Sequence, residues 1–174
     1  MENTNTTKAN YSFVADAMLG KIARKLRMFG FDTMYDSNIE DYDILNSSKY
    51  RKRIVLTSDK TLFNRCKKKG IDAILTYKKT EIENLVTILS SLGIRFINLQ
   101  QLPYLCTCCN GLLDTITDKS LINHEIPIHV LNNNKTFYEC RKCSKIYWKG
   151  SHIEHISRLI KRINSELSSL TNLD

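Results

Sequence analysis

The 174-residue sequence predicts an α/β domain on a mainly parallel sheet, followed by a small metal ribbon and a C-terminal helix. Three observations carry that reading. Strand-like apolar runs alternate with helix-period stripes over about 90 residues, which implies right-handed βαβ crossovers. Two C-x2-C pairs come next, Cys106/Cys109 and Cys140/Cys143. The chain then returns to helical periodicity. A chain of this length holds a main domain of about 100 residues with a smaller stapled module, because core burial becomes marginal much below that size.

Residues 1–10, MENTNTTKAN, are polar, lack the apolar core of a signal peptide, and read as a frayed tail of a cytoplasmic protein. Residues 11–102 form the main domain. YSFVA, 11–15, is a buried strand bounded by Asp16. Met18, Leu19, Ile22, Ala23, Leu26 and Phe29 recur at helical spacing and turn one apolar stripe inward, with Gly30 as the C-cap. FDTMY, 31–35, is a second strand. Asp41 can cap a helix over 42–50, and RIVLT, 53–57, is the strongest strand in the chain, ending at Ser58 and Asp59. Asp59 starts a helix over 60–69 that Gly70 closes. A strand over 72–77 precedes the amphipathic helix 81–92, and 94–99 reads as a last short strand. A boundary near Pro103 opens a ribbon over 103–150. The segment 151–174, with Ile153, Ile156, Leu159, Ile160, Ile163 and Leu167 at helical spacing, is a helix packed back on the body.

Composition is globular, with 42% apolar and 25% charged residues, and no apolar run approaches the ~20 residues of a membrane helix. The net charge of +8 favours polyanionic partners through release of phosphate counterions. Basic residues cluster at Lys21, Arg24, Lys25 and Arg27, at 49–53, and at 65–69 with Lys78 and Lys79. For any one cluster taken singly, a solvated helix face is the favoured reading.

Ligands of an open parallel sheet bind beyond the carboxyl ends of its strands, where Asp16 and Asp59 stand. If their strands are neighbours, ~4.8 Å apart, the two carboxylates clasp one divalent cation or a pair. Asp41 is the natural third ligand, with Asp36 and Asp43 in reserve. Mg²⁺ or Mn²⁺ on such oxygens polarises a phosphodiester and lowers the pKa of a bound water. The competing reading makes each of the three acids a helix N-cap.

Each C-x2-C pair suits a tight turn that donates two thiolates to tetrahedral Zn²⁺, and the 30-residue spacer calls for an inserted hairpin. Cys108 then points away, and Cys66 is a buried or half-buried small apolar residue of a basic helix. His124, His129, His152 and His155 could replace a thiolate but are not needed beside four. In KIYWKGSH, Tyr147, Trp148, Lys149 and His152 either stack on bases and contact phosphates or, for the aromatic pair, pack the ribbon against the last helix. His152 has two further options, capping that helix or approaching the acidic site.

The segments FVADAMLGKIARKLRMFGFDTMYD, RIVLTSD, CTCCNG and CRKCSKIYWKGSH, in this order across residues 11–155, resemble the Mut-seven C-terminal RNase-like family, a PIN-like domain fused to a zinc ribbon. The resemblance implies a PIN-like three-layer fold and a ribonuclease site in which Asp16, Asp41 and Asp59 bind Mg²⁺ or Mn²⁺. It implies RNA hydrolysis to a 5′-phosphate and a 3′-hydroxyl; in the ribonuclease reading Lys21, Arg24 or Arg27 holds the backbone. Ser58 stands where the family usually shows arginine, SSKYRKRIV lacks the usual acid before the strand, and only Glu81 is offered as a fourth acid. The alternatives are a non-catalytic RNA-binding adaptor and a module that docks on a protein partner through its ribbon.

Overall fold

Four short apolar runs pair in parallel to make the central sheet: β1 (Ser12–Ala15), β2 (Asp32–Tyr35), β3 (Ile54–Thr57) and β4 (Ala73–Leu75), in the order β2-β1-β3-β4. The computed structural model describes residues 11–78, 80–98, 105–148, 150 and 152–171, with only the backbone at 152, 153 and 171. The expected tail at 1–10 and the boundary at Pro103 lie outside the described residues.

The helices α1 (Gly20–Met28), α2 (Asp41–Arg51), α3 (Lys60–Lys68) and α4 (Glu81–Ser91) follow the four strands, and α6 (His152–Thr171) closes the chain. Side chains alternate across the sheet and sort these helices into two layers. Phe13, Ala15 and Leu56 face α1, α4 and α6 through Ile22, Leu26, Leu85, Leu89, Ile160, Ile163 and Leu167. Val14 and Val55 face α2 and α3 through Ile44, Leu62 and Cys66. The C-terminal helix therefore completes the larger core. Gly30 (φ 81°) and Gly70 (φ 65°) take the left-handed conformation just past α1 and α3, the position where a Cβ is least tolerated.

Residues 94–98 form no strand. The Ile97 amide donates to Asn164 Oδ1 at 2.9 Å, and Asn164 Nδ2 donates to the Ile97 carbonyl at 3.0 Å. With both backbone groups taken by one side chain of α6, the apolar run is pinned to the helix rather than to a sheet edge.

The second sheet is antiparallel, β5 (Leu113–Ile116), β6 (Phe137–Cys140) and β7 (Ile146–Trp148) in sequence order. The long spacer between the cysteine pairs does hold an antiparallel strand pair, β5 with β6, but a helical segment joins the two strands in place of a tight turn. A 3-10 turn over Lys119–Ile122 and α5 (Ile128–Asn133) connect β5 to β6. The reason lies in packing: Ile122, Ile126 and Leu131 cover Phe137 and give this small sheet an apolar core of its own. Tyr147 and Trp148 pack inside the ribbon, Trp148 lying 6.3 Å from Phe137 between ring centroids and the Tyr147 hydroxyl 3.0 Å from Cys106 Sγ. No helix among the described residues is long and apolar enough to cross a membrane.

Candidate metal centre and acidic edge

The two cysteine turns have the same hydrogen-bond plan. Cys106 N donates to the Gly111 carbonyl at 2.8 Å and Cys140 N to the Lys145 carbonyl at 3.1 Å. Asn110 N donates back to the Cys106 carbonyl and Ser144 N to the Cys140 carbonyl, each at 2.9 Å, from left-handed residues with φ 65° and 54°. Two equivalent turns thus face each other and bring four sulfurs together.

All four Sγ atoms lie within 4.8 Å of one another, with Cys106–Cys143 at 3.6 Å and Cys109–Cys140 at 3.4 Å. A tetrahedral Zn²⁺ with sulfur at ~2.3 Å separates its ligands by about 3.8 Å, so the cage fits that ion. Gly111 is needed beside it, since a Cβ there would stand 2.8 Å from Cys140 Sγ. The backbone amides of Cys109 and Lys142 donate to Cys106 and Cys140 sulfur at 3.4 Å, and the Tyr147 hydroxyl lies 3.0 Å from Cys106 Sγ. Burial raises the Cys106 thiol, but the Tyr147 hydroxyl and the amides of Cys109 and Cys108 outweigh it and pull the group down to about 6. Burial and the neighbouring sulfurs push Cys109 up to about 12. Cys108 is exposed and outside the cage, and Cys66 is buried, as their spacing suggested.

The first turn docks on the amino-terminal edge of the central sheet. Asn110 Oδ1 accepts the Thr33 amide at 3.0 Å, and its Nδ2 donates to Asp32 at 2.5 Å. Arg53 forks onto the same Asp32 carboxylate at 3.0 and 2.7 Å. Arg27, expected to hold the RNA backbone, is only 2% exposed. Its Nε donates to the Thr33 carbonyl at 2.9 Å, and its Nη1 to the Thr107 and Cys108 carbonyls at 3.1 and 2.7 Å. The correction is physical: a guanidinium committed to three carbonyls is a strut, not a free cation. Burial lowers its pKa, against the attraction of the Cys106, Cys109 and Cys108 sulfurs. Lys21 and Arg24, on the outer face of α1, are exposed. Lys149 and the His152 side chain lie outside the described residues.

The acids occupy the opposite edge. Ser12 pairs with Asp32 at the start of β1, and Asp16 follows its end, so the ribbon contact and Asp16 are separated by roughly 13 Å along the strand. Strands β1 and β3 are neighbours, with Ala15 opposite Leu56, which brings Asp16 and Asp59 to adjacent strand ends. The chain leaves β1 toward β2 on one side and returns to β3 on the other, making this the switch point where α/β sheets hold ligands. Buried Thr57 joins the two acids: its hydroxyl donates to Asp16 Oδ2 at 2.7 Å and accepts the Asp59 amide at 3.0 Å. Asp16 makes no cap bond to the 3-10 turn it precedes. Asp59 does cap α3, accepting the Thr61 amide at 2.6 Å.

Asp41 is the first residue of α2 rather than its cap, which is Glu40, and its carboxylate pairs with Arg65 of α3. Among the described residues only the four cysteines gather three or more ligand atoms within one ion's reach; Asp16, Asp41 and Asp59 do not form such a group. Glu81 opens α4, which follows β4 and so begins at the same edge.

Sequence reasoning did not single out Thr57, Arg65, Asp32 or Asn110. Only Thr57 carries a local signal, a hydroxyl two residues before an acid at a strand end. The model of the Mut7-C RNAse domain matches residues 11–160. No curated protein and no solved structure matches the chain. With an acidic edge on a parallel four-stranded sheet, a cysteine cage behind it, and a family match across nearly all of the described residues, the chain belongs to the Mut7-C RNAse domain family.

Proposed function

We propose that the protein is a divalent-metal-dependent ribonuclease with a PIN-like acidic site at the carboxyl edge of β1 and β3. One observation carries the reading: Asp16 and Asp59 end adjacent central strands at the switch point and are tied through the Thr57 hydroxyl. Their donor set suits Mg²⁺ or Mn²⁺, which is commonly held by one or two carboxylates together with substrate phosphate oxygens. When bound, the cation polarises the phosphodiester and lowers the pKa of a bound water. Thr57 holds one oxygen of Asp16 and so restrains the carboxylate at the strand end. Asp41 adds a third carboxylate once it exchanges Arg65 for the site. Hydrolysis adds water across the P–O3′ bond, and the departing 3′ oxygen takes up a proton to leave a 3′-hydroxyl and a 5′-phosphate.

The surroundings of this edge support an RNA substrate. Tyr42 and Tyr77 are 70% and 60% exposed in segments that begin there, and aromatic faces stack unpaired bases irrespective of sequence. Lys21, Arg24 and Lys60 add exposed charge for the backbone. The zinc cage stands against the other edge, so its contribution is to fold the ribbon and offer a second RNA contact, not to take part in cleavage.

A second reading, a non-catalytic RNA-binding adaptor, draws on the Arg65–Asp41 pair, which keeps the third acid engaged. Incubation of labelled single-stranded RNA with protein and Mn²⁺ separates the two. Cleavage by the wild type that Asp16→Asn and Asp59→Asn abolish supports the nuclease. Salt-sensitive binding without cleavage by any of the three supports the adaptor.

A further inference from the structure

A cleft of about 650 Å³ runs along the free margin of β2, between that strand and α2. Its volume falls within the ~300–1,000 Å³ of small-ligand sites. Its lining includes Asp36, the residue after Tyr35, and Tyr35 pairs with Ala15, the residue before Asp16. Asp36 and Asp16 therefore follow the ends of neighbouring strands, and the cleft lies at the same edge of the sheet as the acids.

From α2 the cleft is lined by Asp43, Asn46, Ser47, Tyr50 and Arg51, the i, i+3, i+4, i+7, i+8 positions of a single helix face. Met34 and Ile39 supply an apolar floor. Tyr50 is 76% exposed, with Lys49 Nζ 5.7 Å from its ring centroid. An aromatic face flanked by Lys49 and Arg51 suits a stacked base whose phosphates meet the two cations. The Asp36 carboxylate is engaged by the Asn38 amide at 2.8 Å. Asp43 makes no comparable bond among the described residues, and it stands one helical turn from Asn46. A carboxylate accepts two hydrogen bonds at once from neighbouring N–H donors. Guanine is the RNA base that presents such a pair, N1–H beside N2–H₂, and an amide one turn away can donate to its O6 or N7. Addition of a peptide strand is the other use of a sheet margin, but the Thr33 amide of this margin is already taken by Asn110.

We propose that this cleft is a subsite for one unpaired guanine of single-stranded RNA, next to the scissile phosphate; the proposal rests on the ribonuclease reading for its substrate. The test measures binding in chelator, without cleavage, using fluorescein-labelled uridine decamers that carry a single guanosine, inosine or adenosine. Wild type should bind the guanosine decamer roughly tenfold or more tightly than the inosine one, which lacks only the 2-amino group. Asp43→Asn should erase that difference, and Tyr50→Ala should weaken all three decamers about tenfold. Equal affinity for guanosine and inosine decamers, or a preference that survives Asp43→Asn, overturns the subsite. A parallel Mn²⁺ cleavage assay reports on the nuclease reading alone: intact RNA with the guanosine preference retained sinks the nuclease and leaves the subsite standing.

Discussion

Arg27 Nη1 donates to the Cys108 carbonyl at 2.7 Å, joining the last turn of α1 to the first cysteine turn across 81 residues. The same guanidinium holds the Thr107 and Thr33 carbonyls, so one buried cation ties helix, sheet and ribbon together. Replacing it strands three acceptors in a water-poor site, and charged hydrogen bonds are individually worth about 1.5–3 kcal/mol. Arg27→Ala should cost about 3 kcal/mol in denaturant unfolding, and Arg27→Lys should not restore it, because an ammonium lacks the planar fork. The salt dependence of RNA binding should be unchanged in the Lys variant. Arg24→Ala, which removes an exposed cation, should flatten that slope by about one.

Thr57 is a positioning residue whose hydroxyl serves Asp16 and the Asp59 amide together. Thr57→Val keeps the volume and deletes both bonds. Partners that orient a metal ligand typically govern affinity by about 10–100-fold. Titration should show Mn²⁺ binding weakened at least tenfold in the Val variant, with Thr57→Ser close to wild type. Equal affinity in all three would mean that the hydroxyl does not position the acids.

How far the fold is legible depends on whether the decisive contact is local. Strands β1 and β3 are buried on both faces, so they appear as continuous apolar runs, and the stripes of α1 and α4 name their own buried sides. RFINL carries the same apolar signal as those strands, yet its fate is set by Asn164, 67 residues away. Arg27 lies beside the stripe formed by Ile22, Ala23 and Leu26, and its spacing cannot disclose that a cysteine turn covers it. The cage was readable because its four ligands sit in two short motifs. The acidic edge was readable as strand ends followed by aspartates, whereas the engagement of Asp41 by Arg65 is a contact between two helices.

Asp32 links the sheet to the ribbon through Arg53 and Asn110. Partial burial raises its pKa, but the bonds from Arg53 and Asn110 outweigh that and hold it below its ordinary 3.8. A carboxylate depressed in the folded state contributes stability that is present above the unfolded value and is lost as pH falls through the folded one. The ribbon contact should therefore weaken below about pH 4. The side chain is 48% exposed, and solvent screening limits the contribution to about 1 kcal/mol. Asp32→Asn should lower stability by about that amount at pH 7 and make the loss between pH 4 and pH 2 shallower, as read from urea midpoints.

Zinc binding by a four-thiolate cage is folding free energy for a small sheet. Metal analysis should find about one zinc per chain, and Cys140→Ser should abolish stoichiometric binding. The ribbon also holds the apolar cluster of Ile122, Ile126, Leu131 and Phe137, so chelation should loosen the cysteine turns before this cluster melts. Hydrogen exchange should then show the amides of Cys109 and Lys142 losing protection first. A chelated protein with unchanged exchange at these amides would exclude a structural metal.

Arg65 and Asp41 form an ion pair in which each side chain is 45% exposed. Exposed pairs contribute about 0–1 kcal/mol, so this one is too weak to be a structural necessity but strong enough to compete with a cation for the carboxylate. Arg65→Ala frees Asp41 and removes a positive charge from its neighbourhood, both of which favour capture of a divalent ion. Unfolding should shift by less than about 1 kcal/mol while Mn²⁺ affinity rises several-fold, and the gain should vanish in Arg65→Ala combined with Asp41→Asn. That double variant separates recruitment of Asp41 from a general change in surface charge, because Arg65→Ala alone alters the field for every bound ion, whereas only a carboxylate that joins the site makes the gain depend on residue 41. Identical Mn²⁺ affinity in the wild type and Arg65→Ala would place Asp41 outside the metal site and leave Asp16 and Asp59 to act as a pair.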